Sequence, residues 1–344
     1  MTSSPSSLSQ APAGFSGAGV SVAIVGTGSY APEKVLTNAD LEKMVDTTDE
    51  WIVTRSGIRE RHIAREDEAT SDLATVAAQR ALEQAKVAPE DVDLIIVATI
   101  TPDMVFPSTA CFVQNRLGAR NATCFDLEAA CSGFLFAVNT ASQYIKTGAI
   151  RTALVIGAEK LSTVIDWQDR ATCVLFGDGA GAVVLQACAP TEGILSTVTG
   201  SDGALTELLN LPGGGSRHPT SPQTIEQRLH YMKMVGKDVF KHAVRAMSEA
   251  GRKAIEQAGL TIDQIACVVP HQANMRIVEA IRDRMGVGPE KFFVNLDRYG
   301  NMSAASIPVA LDEAVRMGRI QRGDAVLLVA FGGGLTWAAM VIRW

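Results

Sequence analysis

A short helical signature occurs twice in this chain. Ala81-Leu82-Glu83-Gln84-Ala85 returns as Ala254-Ile255-Glu256-Gln257-Ala258, 173 residues downstream. Each copy closes a helix-period segment (about 71–86 and 238–259), and each is followed by an apolar run, 92–99 and 265–270. A second pair of segments, 145–150 and 315–320, lies 170 residues apart and leads into the apolar runs 153–157 and 325–329. Two matches at nearly one offset, both keeping the order helix then strand, predict a duplicated α/β half of about 170 residues. Ordinary α/β punctuation occurring twice is the plainer alternative. Short apolar runs between helical patterns belong to strands covered on both faces. A length of 344 residues would by itself suggest two domains. The repeat predicts one α/β fold of two halves instead: a flexible tail over 1–19, an N-terminal half over 20–190 and a C-terminal half over 191–344.

Composition narrows the function classes. Hydrophobic residues make up 47% and charged residues 20%, which excludes extended disorder as the main state. The net charge of −6 disfavours nucleic-acid binding through general electrostatics. Six cysteines without a C-x-x-C, and no H-E-x-x-H, give neither a disulfide framework nor a common metal site, and they suit a reducing compartment. MTSSPSSLSQ lacks the basic start of a secretory signal. The uncharged stretch 325–342 has membrane-span length, but Gly332, Gly333 and Gly334 interrupt it, so two buried strands joined by a turn are expected. A soluble, cytoplasmic protein follows as the expectation.

Four places can carry chemistry. Cys131 begins an uncharged segment, 129–144, that reads as a helix buried all round, with backbone N–H groups aimed at the thiol. An ordinary thiol is only a few per cent ionised at pH 7, and lowering its pKa to ~6 takes about 3.4 kcal/mol. A helix N-terminus supplies ~0.3–1 kcal/mol, at best ~2, so a second group must help. His271 is the candidate, because it stands where the strand ending at Pro270 leaves the sheet, at the edge where α/β folds bind ligands. Asn301, 170 residues after Cys131, follows a strand expected over 292–296, as Cys131 follows one over 122–127. Pseudo-symmetry would then bring two equivalent helix starts face to face. Phe331-Gly332-Gly333-Gly334 lets backbone N–H groups approach a reacting carbonyl. Taken singly, each has a plainer reading: a buried small residue, a strand-end cap, a helix N-cap and a turn. The G-x-G at Gly26 and Gly28 lacks its third glycine and is soon followed by Pro32, so a nicotinamide fold is poorly supported.

Together these residues resemble the thiolase superfamily, most closely its β-ketoacyl-acyl-carrier-protein synthase III family. Further motifs carry the resemblance from about Val22 to Trp344: Asp49-Glu50-Trp51-Ile52, Gly57-Ile58-Arg59-Glu60-Arg61, Ala130-Cys131-Ser132-Gly133, Phe176-Gly177-Asp178-Gly179-Ala180-Gly181, Pro270-His271-Gln272-Ala273-Asn274 and Gly300-Asn301-Met302-Ser303, with Thr336-Trp337 after the glycines. The resemblance implies a duplicated five-layer αβαβα fold and a homodimer. It implies an acyl transfer from coenzyme A, with acetyl-CoA the expected donor, to Cys131. Decarboxylative Claisen condensation with malonyl-acyl carrier protein follows, giving a 3-oxoacyl carrier, coenzyme A and CO₂ and initiating type II fatty-acid synthesis.

The resemblance also distributes roles. His271 and Asn301 would hydrogen-bond the malonyl thioester oxygen, and the N–H groups of Cys131 and Gly333 would form the oxyanion hole. Trp51 and Arg170 would hold the adenine of coenzyme A, with Arg55 nearby and Gly236 and Asn274 along the pantetheine tunnel. Phe106, reaching across the dimer, would wall the acyl pocket with Leu161, Phe176 and Leu208. Lys241 and Arg276 would dock the acidic carrier. No metal and no cofactor beyond the coenzyme A thioester substrate is implied, nor a nucleic-acid or membrane partner. Asn301 favours carbon–carbon bond formation over acyl transfer to oxygen. Lys237 departs from the asparagine common in relatives, and the segment 213–227 is longer than usual. The alternatives are a synthase III-like enzyme of a polyketide or secondary-metabolite pathway and a non-catalytic thiolase-fold partner subunit.

Overall fold

The computed structural model describes residues 20–344; the tail expected over 1–19 lies outside them. Along the chain the first half supplies β1 (Ser21–Tyr30), α1 (Thr70–Ala85), β2 (Leu94–Ala98), α2 (Thr109–Leu117), β3 (Thr123–Leu127), α3 (Gly133–Lys146), β4 (Thr152–Glu159) and β5 (Gly179–Cys188). The second supplies β6 (Gly193–Ser201), α4 (Gly236–Gln257), β7 (Ile265–Pro270), α5 (Met275–Met285), α6 (Ser306–Arg316), β8 (Ala325–Gly332) and β9 (Thr336–Arg343). One sheet runs β1-β5-β4-β2-β3, the other β6-β9-β8-β7. The matching neighbours also match in direction: β2 with β4 and β7 with β8 are parallel, and the remaining pairs of both sheets, β3 aside, are antiparallel.

Burial explains the layering. Helix α3 buries Phe134, Val138, Ala141 and Ile145 on one face and Gly133, Leu135, Ala137 and Ser142 around it. It shares one core with α6 and with strands of both sheets, so α3 and α6 form the central layer. Burying a side chain such as Phe134 or Leu135 is worth ~1.5–3 kcal/mol. By contrast α4 buries the single stripe Val239, Ala243, Met247, Ala250 and Ala254 and presents charge elsewhere, as an outer helix should. With α5 it covers the second sheet, while α1 and α2 cover the first, giving five layers, αβαβα. Strands β4 and β8 are buried at all eight positions, which accounts for their unbroken apolar runs.

The structure corrects three expectations. The segment 292–296 is not a strand: only Phe292 bridges to Val268, and a short helix, Leu296–Tyr299, follows. The Gln272 side chain accepts from the Asn295 N–H at 3.0 Å and so replaces the partner a ladder would offer. Cys131 and Asn301 are also not equivalent points. The turn before α3, Ala130–Ser132, matches the turn before α6, Ser303–Ala305, at an offset of 173, which pairs Cys131 with Ala304. Ala130 (φ 46°) and Ser303 (φ 47°) even share an unusual backbone conformation. The offset of 170 arises later, because α6 has 11 residues where α3 has 14. Finally, the five cysteines other than Cys131, which by default are expected to be small buried residues, divide: Cys173 and Cys267 are buried, and Cys111, Cys124 and Cys188 are half-buried.

The stretch 325–342 forms β8 and β9, and among the described residues no helix is long and apolar enough to cross a membrane.

Candidate active site

The two helix starts do face each other. The turns Ala130–Ser132 and Ser303–Ala305 pack together, and the latter also packs on β4. Gly157 of β4 permits this approach, since a Cβ there would sit 2.2 Å from the Ala304 carbonyl oxygen. Around the junction opens a cavity of about 1250 Å³. Cys131, His271, Asn301 and Gly333 all line it.

Cys131 is 9% exposed and tightly framed. Ser132 Oγ donates to the Thr336 carbonyl at 3.2 Å, Thr336 Oγ1 donates to the Ala129 carbonyl at 3.0 Å, and the Ala130 N–H donates to Glu128 Oε1 at 3.0 Å. A Cβ on Gly332 would lie 2.6 Å from the Cys131 nitrogen, so only glycine lets β8 come this close. Burial pushes the thiol up to about 12, against a smaller lowering by the Ser303 hydroxyl and with a further rise from the Glu159 charge. The thiol is therefore held protonated, opposite to the expectation from a helix start. The field of one helix end does not offset this burial.

His271 follows the last residue of β7, and its N–H donates to the Val329 carbonyl at 2.8 Å. It is 3% exposed, and burial pulls its imidazole down to about 4. It is thus neutral at physiological pH and carries one ring N–H to donate. It lines the same cavity as Cys131, and no hydrogen bond joins the two among the described residues.

Asn301 is held on both sides of its backbone. Its N–H donates to the Leu175 carbonyl and its carbonyl accepts from the Gly177 N–H, at 2.8 and 3.0 Å. Its Oδ1 accepts from the Ser303 N–H at 2.8 Å, which leaves the Nδ2 group as its donor toward the cavity lining.

The other residues expected at the site divide. Trp51, Arg55, Gly236, Asn274, Phe176 and Arg276 line the same cavity. The Arg55 and Arg170 guanidiniums lie 4.6 and 4.9 Å from the Trp51 ring centroid, and Arg170 is tied to the Asp46 carbonyl at 2.6 Å rather than lining the cavity. Leu161 is fully buried behind the wall, in a cluster with Ile165, Cys173 and Phe176. Leu208 stands just outside the wall that Leu209 forms. Phe106 is 83% exposed, between Val105 at 90% and Pro107, and does not line the cavity of a single chain. Lys241 is exposed on α4, one turn from the lining residue Lys237. The segment 213–227 falls within the connection between the two strands of a short ribbon, in which Leu209 and Asn210 pair with Met234 and Lys233.

Two residues were given no role by the sequence: Ser303, quoted there only as the end of a motif, and Glu159, which does not line the cavity. Ser303 lines the cavity and is 2% exposed. Glu159, at the end of β4, is fully buried and bound by Thr101 Oγ1 at 2.6 Å, by Thr99 Oγ1 and by the Ile100 N–H. A carboxylate closing an otherwise apolar strand was the available signal.

Comparison with known proteins agrees with this architecture. Residues 125–203 match the 3-oxoacyl-(acyl-carrier-protein) synthase III family and residues 255–344 match that family's C-terminal region. The chain is 60% identical over 325 residues to the β-ketoacyl-(acyl-carrier-protein) synthase III of Desulfitobacterium hafniense, covering 94% of this chain and 98% of that one. Its structure is similar to the crystal structure of 3-oxoacyl-(acyl-carrier-protein) synthase III from Aquifex aeolicus, with a TM-score of 0.88, 50% identity and 94% and 100% of the two chains covered. It is also similar to the priming β-ketosynthase of the R1128 polyketide pathway, with a TM-score of 0.87, 38% identity and coverage of 94% and 96%. The thiolase-like fold, the cavity between its halves and these likenesses lead to one conclusion: the chain belongs to the β-ketoacyl-acyl-carrier-protein synthase III family.

Proposed function

We propose that the chain performs the initiating condensation of fatty-acid synthesis, joining the acyl group of an acyl-CoA to malonyl-acyl carrier protein with loss of CO₂. The observation that carries the reading is the meeting of Cys131, His271, Asn301 and Gly333 in one cavity. Cys131 takes the acyl group as a thioester, with its own N–H and that of Gly333 stabilising the tetrahedral oxyanion. Malonyl thioester then loses CO₂, and the enolate oxygen accepts hydrogen bonds from His271 and Asn301 Nδ2. A neutral imidazole and an amide suit that role, because both donate without a proton being lost. Supplying purified protein with an acyl-CoA panel and malonyl-carrier protein tests the reading. CO₂ and 3-oxoacyl carrier are expected in equal amounts, and an acylated Cys131 with no 3-oxoacyl product would refute condensation.

The coenzyme A contacts yield a separate prediction. In this reading the adenine stacks on Trp51, in the zone the two guanidiniums share. Stacking on an aromatic ring is worth ~1–3 kcal/mol per base. Trp51→Ala should therefore raise KM for acyl-CoA about 10-fold or more. Acylation by a short thioester without the nucleotide should stay unchanged in the same rate assay.

The carrier docks at Lys241 and Arg276, since a protein of charge −6 needs local positive charge to meet an acidic partner. Lys241→Glu combined with Arg276→Glu should raise KM for the malonyl carrier roughly 10-fold and flatten its salt dependence. Steady-state assays over a salt series check this. A homodimer fits two features: the exposed Met104, Val105 and Phe106, and the outer edge of β3, which has no strand partner among the described residues. In it Phe106 would complete the acyl pocket of the other copy.

A further inference from the structure

Arg61 is 0% exposed, and among the described residues it forms no ion pair with a carboxylate. Burying a charge without a counter-ion is costly, so the position calls for an explanation beyond packing. Its guanidinium spans two distant parts of the chain. Nη1 donates to the Leu36 carbonyl at 3.1 Å and to Asn38 Oδ1 at 2.9 Å, while Nη2 donates to the Val174 carbonyl at 2.7 Å. Leu36 and Arg61 face each other in a two-stranded ribbon, Lys34–Thr37 against Glu60–Ile63. Val174 opens the segment against which Asn301 is fixed.

That segment, 174–177, is the seat of Asn301. The Leu175 carbonyl accepts the Asn301 N–H, the Gly177 N–H donates to the Asn301 carbonyl, and Phe176 and Asn301 form a parallel bridge. Arg61 lies against both sides of this junction. A Cβ on Gly177 would stand 3.0 Å from the Arg61 Cβ, and one on Gly300 would stand 3.3 Å from it. The neighbours of Arg61 make the same connection. The Asp178 N–H donates to the His62 carbonyl at 2.8 Å, and the Arg59 N–H donates to the Asp297 carbonyl at 2.9 Å. His62 also stacks on Tyr299, with ring centroids 5.3 Å apart. Cys131 has different supports: its frame comes from Thr336, Glu128 and the close approach of Gly332.

We propose that Arg61 is a positioning residue for Asn301. By tying the Val174 carbonyl to the ribbon, it fixes segment 174–177, and through that segment the direction in which Asn301 Nδ2 meets the enolate oxygen. The inference rests on the reading of Asn301 as an enolate donor. Arg61 does not line the cavity, so it acts through Asn301 and not on the substrate. A misplacement of about 1 Å at a reacting geometry costs on the order of 10²-fold in rate, which is reason enough to spend a buried cation on one backbone segment.

Arginine suits the task. Its planar fork holds two nitrogens in fixed relation, one for the ribbon oxygens and one for Val174, whereas lysine offers a single nitrogen that cannot serve both directions equally. Burial lowers Arg61 to about 10, so the guanidinium keeps every N–H at neutral pH. An arginine retained for stability alone would matter equally to both half-reactions. One retained for Asn301 matters to the step in which Asn301 takes part.

The test compares wild type, Arg61→Lys, Arg61→Met, Asn301→Ala and the double variant Arg61→Lys with Asn301→Ala. Acylation by acetyl-CoA is followed by intact-protein mass, and condensation by CO₂ release from malonyl-carrier protein. Arg61→Met should lower condensation about 10²-fold and Arg61→Lys about 10-fold, with acylation kept within about twofold. Where Arg61→Met does not fold, Arg61→Lys carries the test. In the Asn301→Ala background Arg61→Lys should cost nothing further, because the two act as one unit. Amide hydrogen exchange reads the positioning without any reaction. Peptides covering 174–178 and 299–303 should exchange faster in Arg61→Lys, while one covering 129–133 keeps its protection. Condensation within about twofold of wild type, equal losses in both half-reactions, a loss that persists undiminished in the Asn301→Ala background, unchanged exchange at 299–303, or failure of both variants to fold would each overturn the proposal. A wild type that is acylated but releases no CO₂ would fault the reading of Asn301, and the exchange result would still decide whether Arg61 positions it.

Discussion

Cys131→Ser abolishes condensation, with an expected fall of about 10³-fold or more. The replacement removes almost no volume and keeps the backbone N–H assigned to the oxyanion hole, so the loss isolates the nucleophile. The sulfur already begins from an unfavourable state, because burial holds its proton on. A serine hydroxyl is harder still to ionise and far less nucleophilic, and it meets the same desolvation. The tight frame around residue 131, from the Gly332 approach to the Thr336 hydrogen bonds, should keep the variant folded. Intact-protein mass after exposure to acyl-CoA should show full acylation of wild type and none of the variant. A variant that retained its rate would remove Cys131 from the mechanism.

The second large effect separates the two half-reactions. His271→Ala and Asn301→Ala should leave acylation of Cys131 within a few-fold of wild type. Each should lower decarboxylative condensation by about 10²–10³, equal to the ~2.7–4 kcal/mol that one oxyanion donor is worth. Asn301→Ala also strips the Ser303 N–H of its acceptor, which costs ~1–3 kcal/mol of stability on its own. Asn301→Asp controls for that: the carboxylate still accepts from Ser303 but offers no donor to the enolate. It should fold like wild type and condense no better than Asn301→Ala. Measuring acyl-enzyme formation and CO₂ release in parallel checks both variants. Equal losses in the two half-reactions would place these residues in acyl transfer instead.

Much of this architecture was legible from residue types. Repeated helix ends announced the duplication, and continuous apolar runs announced the buried strands β2, β4, β7 and β8. The frame of the repeat was harder to read, because α6 stops three residues before its counterpart α3 and shifts the later matches. The missing strand at 292–296 depends on a side chain, Gln272, that occupies the Asn295 N–H from another part of the chain. Local sequence does not encode that substitution. The ionisation of Cys131 was expected in the wrong direction for a similar reason. The helix start is a local feature visible in the sequence, whereas the burial that outweighs it comes from the other half of the fold. Ser303 reaches the cavity because Gly157 lets the turn before α6 press on β4, an approach between distant parts of the sequence. Leu161 and Leu208 were expected in the acyl wall, yet Phe176 stands in front of the first and Leu209 in place of the second. Apolar residues near a site are easily named from motifs; which one faces the cavity is decided by packing.

The most direct test of the account is a single-turnover chase. Cys131 is first acylated with an acyl-CoA, free coenzyme A is removed, and malonyl-carrier protein is added. The account predicts that the acyl group leaves Cys131 as one CO₂ is released and appears in one 3-oxoacyl carrier per acyl-enzyme. Release of CO₂ while the acyl group stays on Cys131, or its loss to water without a new carbon–carbon bond, would contradict it.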